Sequence, residues 1–344
     1  MFDVKTVFIL GAGSSKEANL PTGIELAPQI SKLLDIRFED GGRRVGTGDQ
    51  IIEQSLRTIA QRQGRNANEL FRKCRQIGAG IGYTTSIDNY INLHADDPDI
   101  ALCGKIAIVR AILQAEHGSY LFDGDASRTQ YNQDRISESW FIRFIRGLSS
   151  EIPKSKIGEL FNNVAIINFN YDRCVEHFLF GAVRTLYSLD AAETAKVIAT
   201  LQIIHPYGTV GELPWQNPNG VAFGDVERTD LENLSARIRT FAEQVAEKET
   251  IDKIRLELLS GRKHVFLGFA YYRQNMELLT TGKQLATRVF GTVLDTSSSD
   301  GEVISDKICT AFSLDRNSEN MRPRLEDLRC KAFFDAYSRS LVSI

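Results

Sequence analysis

Short apolar runs, each stopped by glycine or a polar cluster, alternate along this chain with longer stretches of helical periodicity. Val7 to Leu10 is rich in β-forming residues and ends at Gly11, as does a strand buried on both faces of a parallel sheet. Pro21-Thr22-Gly23 then leads into Ile24 to Leu34, where Ile24, Leu26, Ala27, Ile30, Leu33 and Leu34 share one helical face. From about Asp35 to Ile157 the character changes to polar segments and amphipathic helices, such as Gln50 to Ile77, Ile100 to Gln114 and Ser137 to Leu148. Few strand signals occur there.

The β/α alternation resumes with a strand at Val164 to Phe169 and helix-like Asp172 to Leu186. Gln202 to His205, His264 to Phe269 and Arg288 to Leu294 are further strand candidates, with a long helical stretch, Leu231 to Leu259, among them. Strands separated by helices predict an α/β fold: a Rossmann-like, doubly wound parallel sheet with a core of about 1–34 and 160–344 and a mostly helical insertion of about 35–159.

The 344 residues are 42% hydrophobic and 25% charged, enough to bury a large core without disulfides or metal. The net charge of −3 gives no global footprint for nucleic acid or an anionic membrane, so neither is expected as a direct partner. No apolar run is long enough to span a bilayer, and the N-terminus lacks a basic segment followed by an apolar one; a cytoplasmic protein is expected. Cys74, Cys103, Cys174, Cys309 and Cys330 form no C-x-x-C pair and have no histidine at zinc spacing. No zinc ribbon or other metal centre is expected, and the thiols read as reduced and buried.

Three clusters can carry chemistry. The turn Gly11-Ala12-Gly13-Ser14-Ser15 follows the first strand, where backbone N–H groups and a helix beginning beyond can seat a pyrophosphate. Lys16 stands where the third glycine of G-x-G-x-x-G would be, so the alternative is a tight turn that binds nothing. Asn168, Asn170 and Asp172 bunch where the Val164 strand runs out, the end at which parallel sheets bind ligands; helix capping by Asn170 or Asp172 is the competing explanation. His205 ends another strand, before Pro206-Tyr207-Gly208, and a histidine there can act as a general base near neutral pH. His94, His117, His177 and His264 read as structural, Asp88 and the Asp96 to Asp99 run as ordinary helix features, and Arg62, Arg65, Arg72, Lys73 and Arg75 as a solvated helix face.

In order, Gly11-Ala-Gly-Ser-Ser, Asn170-Tyr-Asp172, His205-Pro-Tyr-Gly208 and Leu267-Gly268-Phe269-Ala270 resemble the motifs of the sirtuin family. Deacylating sirtuins continue the first motif into an arginine-bearing segment and carry a four-cysteine zinc ribbon. Here the continuation is Asn19-Leu20-Pro21-Thr22-Gly23, and the histidine is separated from its glycine by two residues. These forms, with the helical insertion, are similar instead to bacterial sirtuin-like domains of antiphage defence systems.

That resemblance implies an NAD hydrolase that releases ADP-ribose and nicotinamide and halts infection by depleting NAD, as in abortive antiviral defence. Asn170 and Asp172 would orient the ribose and the carboxamide or attacking water, and His205 would be the base. Gly11 to Ser15, Thr22 and Gly23 would seat the pyrophosphate; Asn168, Gly208, Gly268 and Phe269 would complete the NAD site, the last two near the adenosine ribose. The resemblance also implies NAD as substrate with no metal, a homo-oligomer, and a protein activator or partner such as a HerA-type ATPase. An NAD-dependent deacylase and a non-catalytic module sensing NAD or ADP-ribose are the alternatives. A Rossmann dehydrogenase would want an acidic residue about 20 positions beyond the glycines, for which Asp35 is poorly placed.

Overall fold

The computed structural model describes residues 2–39, 44–124, 133–240, 243, 248–282, 287–315, 318 and 321–342. It is an α/β fold built on six parallel strands: β1 (Thr6–Leu10), β4 (Val164–Asn168), β5 (Gln202–Ile204), β6 (Lys263–Leu267), β7 (Arg288–Thr292) and β8 (Arg324–Glu326). A separate antiparallel ribbon joins β2 (Arg37–Glu39) to β3 (Arg44–Thr47). The order β5-β4-β1-β6-β7-β8 places the first strand at the centre, with the chain winding outward to one side and then to the other. This is the doubly wound order of dinucleotide-binding sheets.

The apolar strands form because both of their faces are covered. Val7 and Ile9 of β1, Ile167 of β4 and Phe266 of β6 belong to one core. Phe8, Leu10, Val164, Ile166, Val265 and Leu267 belong to the other. Helices Gly23–Leu34, Gln50–Arg62, Ala67–Gly80, Pro98–His117, Lys248–Ser260 and Ser298–Ala311 contribute to the first. Helices Trp140–Ser149, Cys174–Tyr187 and Cys330–Val342 contribute to the second. The segment of about 35–159 thus packs into both layers.

Several boundaries differ from those expected, each for a local reason. Gln50 to Ile77 is two helices, because the Asn66 side chain caps a new one by accepting from the Asn68 N–H (2.9 Å). The Asp172 carboxylate binds the Cys174 N–H (3.1 Å), so that helix starts at Cys174. Of the long helix expected over Leu231 to Leu259, Leu231–Ser235 and Lys248–Ser260 are helical, 236–240 are turn and irregular backbone that interrupt it, and 241–242 and 244–247 lie outside the described residues. β8 and the β2–β3 ribbon were not expected; both are short, and β8 is a charged edge strand. The basic helix face is tied to neighbouring elements: Arg65 bonds Asp99, Lys73 bonds Asp97 (2.6 Å), Arg62 bonds Glu232 and Arg75 donates to the Ile36 carbonyl (3.1 Å). All five cysteines are buried free thiols, and among the described residues no helix is long and apolar enough to cross a membrane.

Strand register brings Leu10, Asn168 and Leu267 to one level, with Ile204 one residue below, so the residues that follow emerge together on the carboxyl edge. There the loops after β1 and β6 touch. The Gly13 N–H donates to the Gly268 carbonyl (3.0 Å), and Gly268 holds φ +55°. A Cβ on Gly268 would lie 2.1 Å from the Ser14 nitrogen, and one on Gly13 would lie 2.7 Å from the Gly268 Cα. Backbone meets backbone, and neither side can yield. Gly268→Ala, which adds both strain and overlap, is expected to lower stability by at least about 2 kcal/mol, read as a reduced urea midpoint at unchanged slope.

Candidate active site

Four segments meet at that edge: the turn after β1, the loop Phe169 to Arg173 after β4, His205 after β5, and the first turn of helix Cys174–Tyr187. The Ser15 hydroxyl donates to Asp172 Oδ1 (3.1 Å), and Asn170 Nδ2 donates to the Ser15 hydroxyl (3.1 Å). Asn168 Oδ1 accepts the Asn170 N–H (3.2 Å), while Asn168 Nδ2 is buried with no hydrogen-bond partner among the described residues. Trp140 fixes the turn by donating from its indole to the Ser14 carbonyl (2.7 Å). Asn170 and Asp172 are 6% and 4% exposed, so the network is enclosed.

Arg173 anchors this loop. Its guanidinium lies bidentate on Glu116 (3.0 and 2.5 Å), the last turn of helix Pro98–His117, and also reaches the carbonyls of Val221 and Ala222 (2.5 and 3.0 Å). Glu116 further accepts the N–H groups of Arg173 and Gly224 (each 3.0 Å). The adjacent Tyr171 donates to Asp88, whose carboxyl burial raises above the usual range against that hydrogen bond. Glu116, Arg173 and Glu176 were not singled out from the sequence, and Asp88, read there as an ordinary helix feature, instead accepts from Tyr171; the partners of all four lie far along the chain.

His205 lies between two acceptors. Nε2 is 2.6 Å from Glu176 Oε1, and Nδ1 is 3.2 Å from the Asn170 carbonyl. Neither oxygen can donate when Glu176 is a carboxylate, so the ring carries protons on both nitrogens. Burial pulls the His205 pKa down, but the Glu176 carboxylate and the Asn170 carbonyl outweigh it, and the net shift is upward. With Glu176 ionised, both ring nitrogens act as donors, and an imidazolium so held must give up a proton before it can accept one. Pro206 to Gly208 hold it in place through a turn closed by Gly208 N–H to His205 O (3.1 Å), with Gly208 at φ +74°.

The chain matches no protein-family model and no curated protein.

Other expected residues have partly different roles. The N–H groups of Gly11, Gly13 and Ser14 already bond the carbonyls of Leu267, Gly268 and Gly11 (3.0, 3.0 and 2.8 Å), leaving less of the turn for a phosphate than the sequence suggested. Ala12 and Ser15 sit in a short helical turn, Ala12–Ser15. Thr22 caps helix Gly23–Leu34 with Glu25 and Gly23 is exposed. Phe269 packs edge-on to Phe169 and Tyr271 (5.0 and 5.3 Å) inside the core. His94, His117, His177 and His264 each bond a backbone carbonyl, and burial lowers His177 to about 4 and His264 to about 3. No group of three or more His, Cys, Asp or Glu among the described residues is disposed to hold a metal ion.

A cavity of about 410 Å³ adjoins the site, walled by Glu176, His205, Gln202, Trp215, Gln216 and apolar residues of helix Ala191–Ile198. A larger one, about 660 Å³, lies between helices Gly23–Leu34 and Ala67–Gly80 and includes none of Asn170, Asp172 or His205.

Burial raises Asp172 to about 6, against the Cys174 and Ser15 hydrogen bonds that lower it. A carboxyl with that value can exchange protons near neutral pH. The folded state holds this proton more tightly than the unfolded chain, so the stability it contributes is present below about pH 4 and lost as pH rises through 6. Asp172→Asn is expected to gain on the parent across that window by up to about 3 kcal/mol, measured as the difference between two urea-denaturation series against pH. Glu116→Leu, which leaves the Arg173 charge buried and unmatched, is expected to lose about 3–5 kcal/mol in the same measurement.

Proposed function

We propose that this protein hydrolyses NAD to ADP-ribose and nicotinamide. The observation that supports this best is the bonded chain Ser15–Asp172, Ser15–Asn170 and Asn170–His205, which joins the ends of β1, β4 and β5 at the edge where doubly wound sheets bind dinucleotides. The resemblance of the same residues to sirtuin-like antiphage domains names the substrate.

Breaking the bond from ribose to nicotinamide builds oxocarbenium-like charge on the sugar and needs a placed water. Asn170 and Asp172 would orient the ribose and that water, and the His205–Glu176 pair would manage the proton. Because Asn170 and Asp172 are buried and three N–H groups of the turn are engaged, the reading includes an activating event: self-association or a partner such as a HerA-type ATPase. NAD depletion during infection and a cytoplasmic location belong to the same proposal.

The purified protein, alone or with its activator, is expected to convert NAD to ADP-ribose without any acyl-peptide, as read by mass spectrometry. Asn170→Ala and His205→Ala should each lose about 10²–10⁴-fold in rate. Parent-like turnover in both variants refutes the site. Nicotinamide release only with an acylated peptide would make the protein a deacylase, and binding without turnover a sensor.

A further inference from the structure

We propose that Glu176 is the general base of this site, the carboxylate that takes a proton from the attacking water, with His205 as its charged partner. The inference rests on NAD hydrolysis as the reaction and reassigns the proton within it.

The geometry carries the assignment. Both nitrogens of His205 are occupied by acceptors, so the ring has no lone pair to offer. Glu176 spends one oxygen on His205, while Oε2 is buried and has no hydrogen-bond partner among the described residues. An unmatched buried carboxylate oxygen costs free energy, and such exceptions call for an explanation in chemistry or ligand binding. Glu176 and His205 both belong to the wall of the 410 Å³ cavity, whose other members, Ala195, Ile198, Trp215 and Gln216 among them, carry no charge. Trp215 Nε1, from another residue of the same wall, is also a buried polar atom with no hydrogen-bond partner among the described residues.

Glu176 lies in the first turn of helix Cys174–Tyr187, where the positive end of the helix dipole favours a carboxylate. Asp172 acts on His205, and Cys174 lies beside Glu176 in the same helical turn. Carboxylates serve glycoside hydrolysis in this way, since the water becomes acidic only as its oxygen bonds the sugar. In the step proposed, the water oxygen bonds ribose C1′ and one water proton passes to Glu176 Oε2. The C1′–N bond breaks with its electron pair going to the pyridinium nitrogen, so nicotinamide leaves neutral and unprotonated. Glu176 then returns its proton to solvent, giving one proton released per NAD consumed.

Glu176→Gln tests this directly, because its amide oxygen can still accept from His205 while it can no longer act as a base. We expect kcat for NAD to fall about 10²–10⁴-fold with KM little changed, and added formate to restore part of the rate lost in Glu176→Ala. Independently of activity, nitrogen NMR should show His205 titrating above the ordinary histidine range in the parent and lower in Glu176→Gln. A Glu176→Gln protein with parent kcat overturns the assignment while leaving NAD hydrolysis intact. Identical His205 titration in the two proteins overturns the pairing on which it stands. A parent that forms no ADP-ribose removes the reaction, and Glu176 as its base with it.

Discussion

A guanidinium that water scarcely reaches must be matched on every side, and Arg173 is: two bonds to Glu116 and two close carbonyls. Desolvating these two charges is unfavourable, and only the complete set of partners offsets it. The requirement is strict in space. It fixes the end of the long helix Pro98–His117, the loop through Val221 to Gly224 and the start of helix Cys174–Tyr187 relative to one another. Asp172 precedes Arg173 directly, so the same constraint delivers Asp172 to Ser15 and Asn170.

The sheet supplies the second half of the arrangement. Because β1 is central, its following turn lies between the loops of β4 and β6 and contacts both, Gly268 on one side and Asn170 with Asp172 on the other. The glycines of that turn are accordingly needed twice over. They allow the close approach to Gly268, and they set Ser14 and Ser15 where Asn170 and Asp172 of the loop after β4 can bond them. A turn for packing and a turn for binding are one object here.

The parallel strands were legible because residues such as Val7 to Leu10 and Val164 to Ile167 form short unbroken apolar runs, buried on both faces. The turn, Asn170, Asp172 and His205 were legible because each follows such a run. Glu176, Asp88 and Glu116 were not: each looks like a charged residue of an amphipathic helix, and its role depends on His205, Tyr171 or Arg173 across the fold. The same limit applied to the histidine. That His205 is held between a carbonyl and a carboxyl oxygen on opposite sides of its ring, which raises its pKa, is something local sequence cannot express. β8, three residues with charged ends, lacked the apolar run that marked its neighbours.

The two sides of the site are mounted with unequal stiffness. The turn after β1 is braced by strands on both flanks and by the Trp140 indole beneath it, whereas His205 follows β5, a three-residue edge strand with a single neighbour. Short edge elements with few bonds open at lower free energy than central ones. Whatever loosens the enclosure would therefore act as on a door with one fixed post: the serine side and the Glu176 carboxylate on its anchored helix stay, and the imidazole swings.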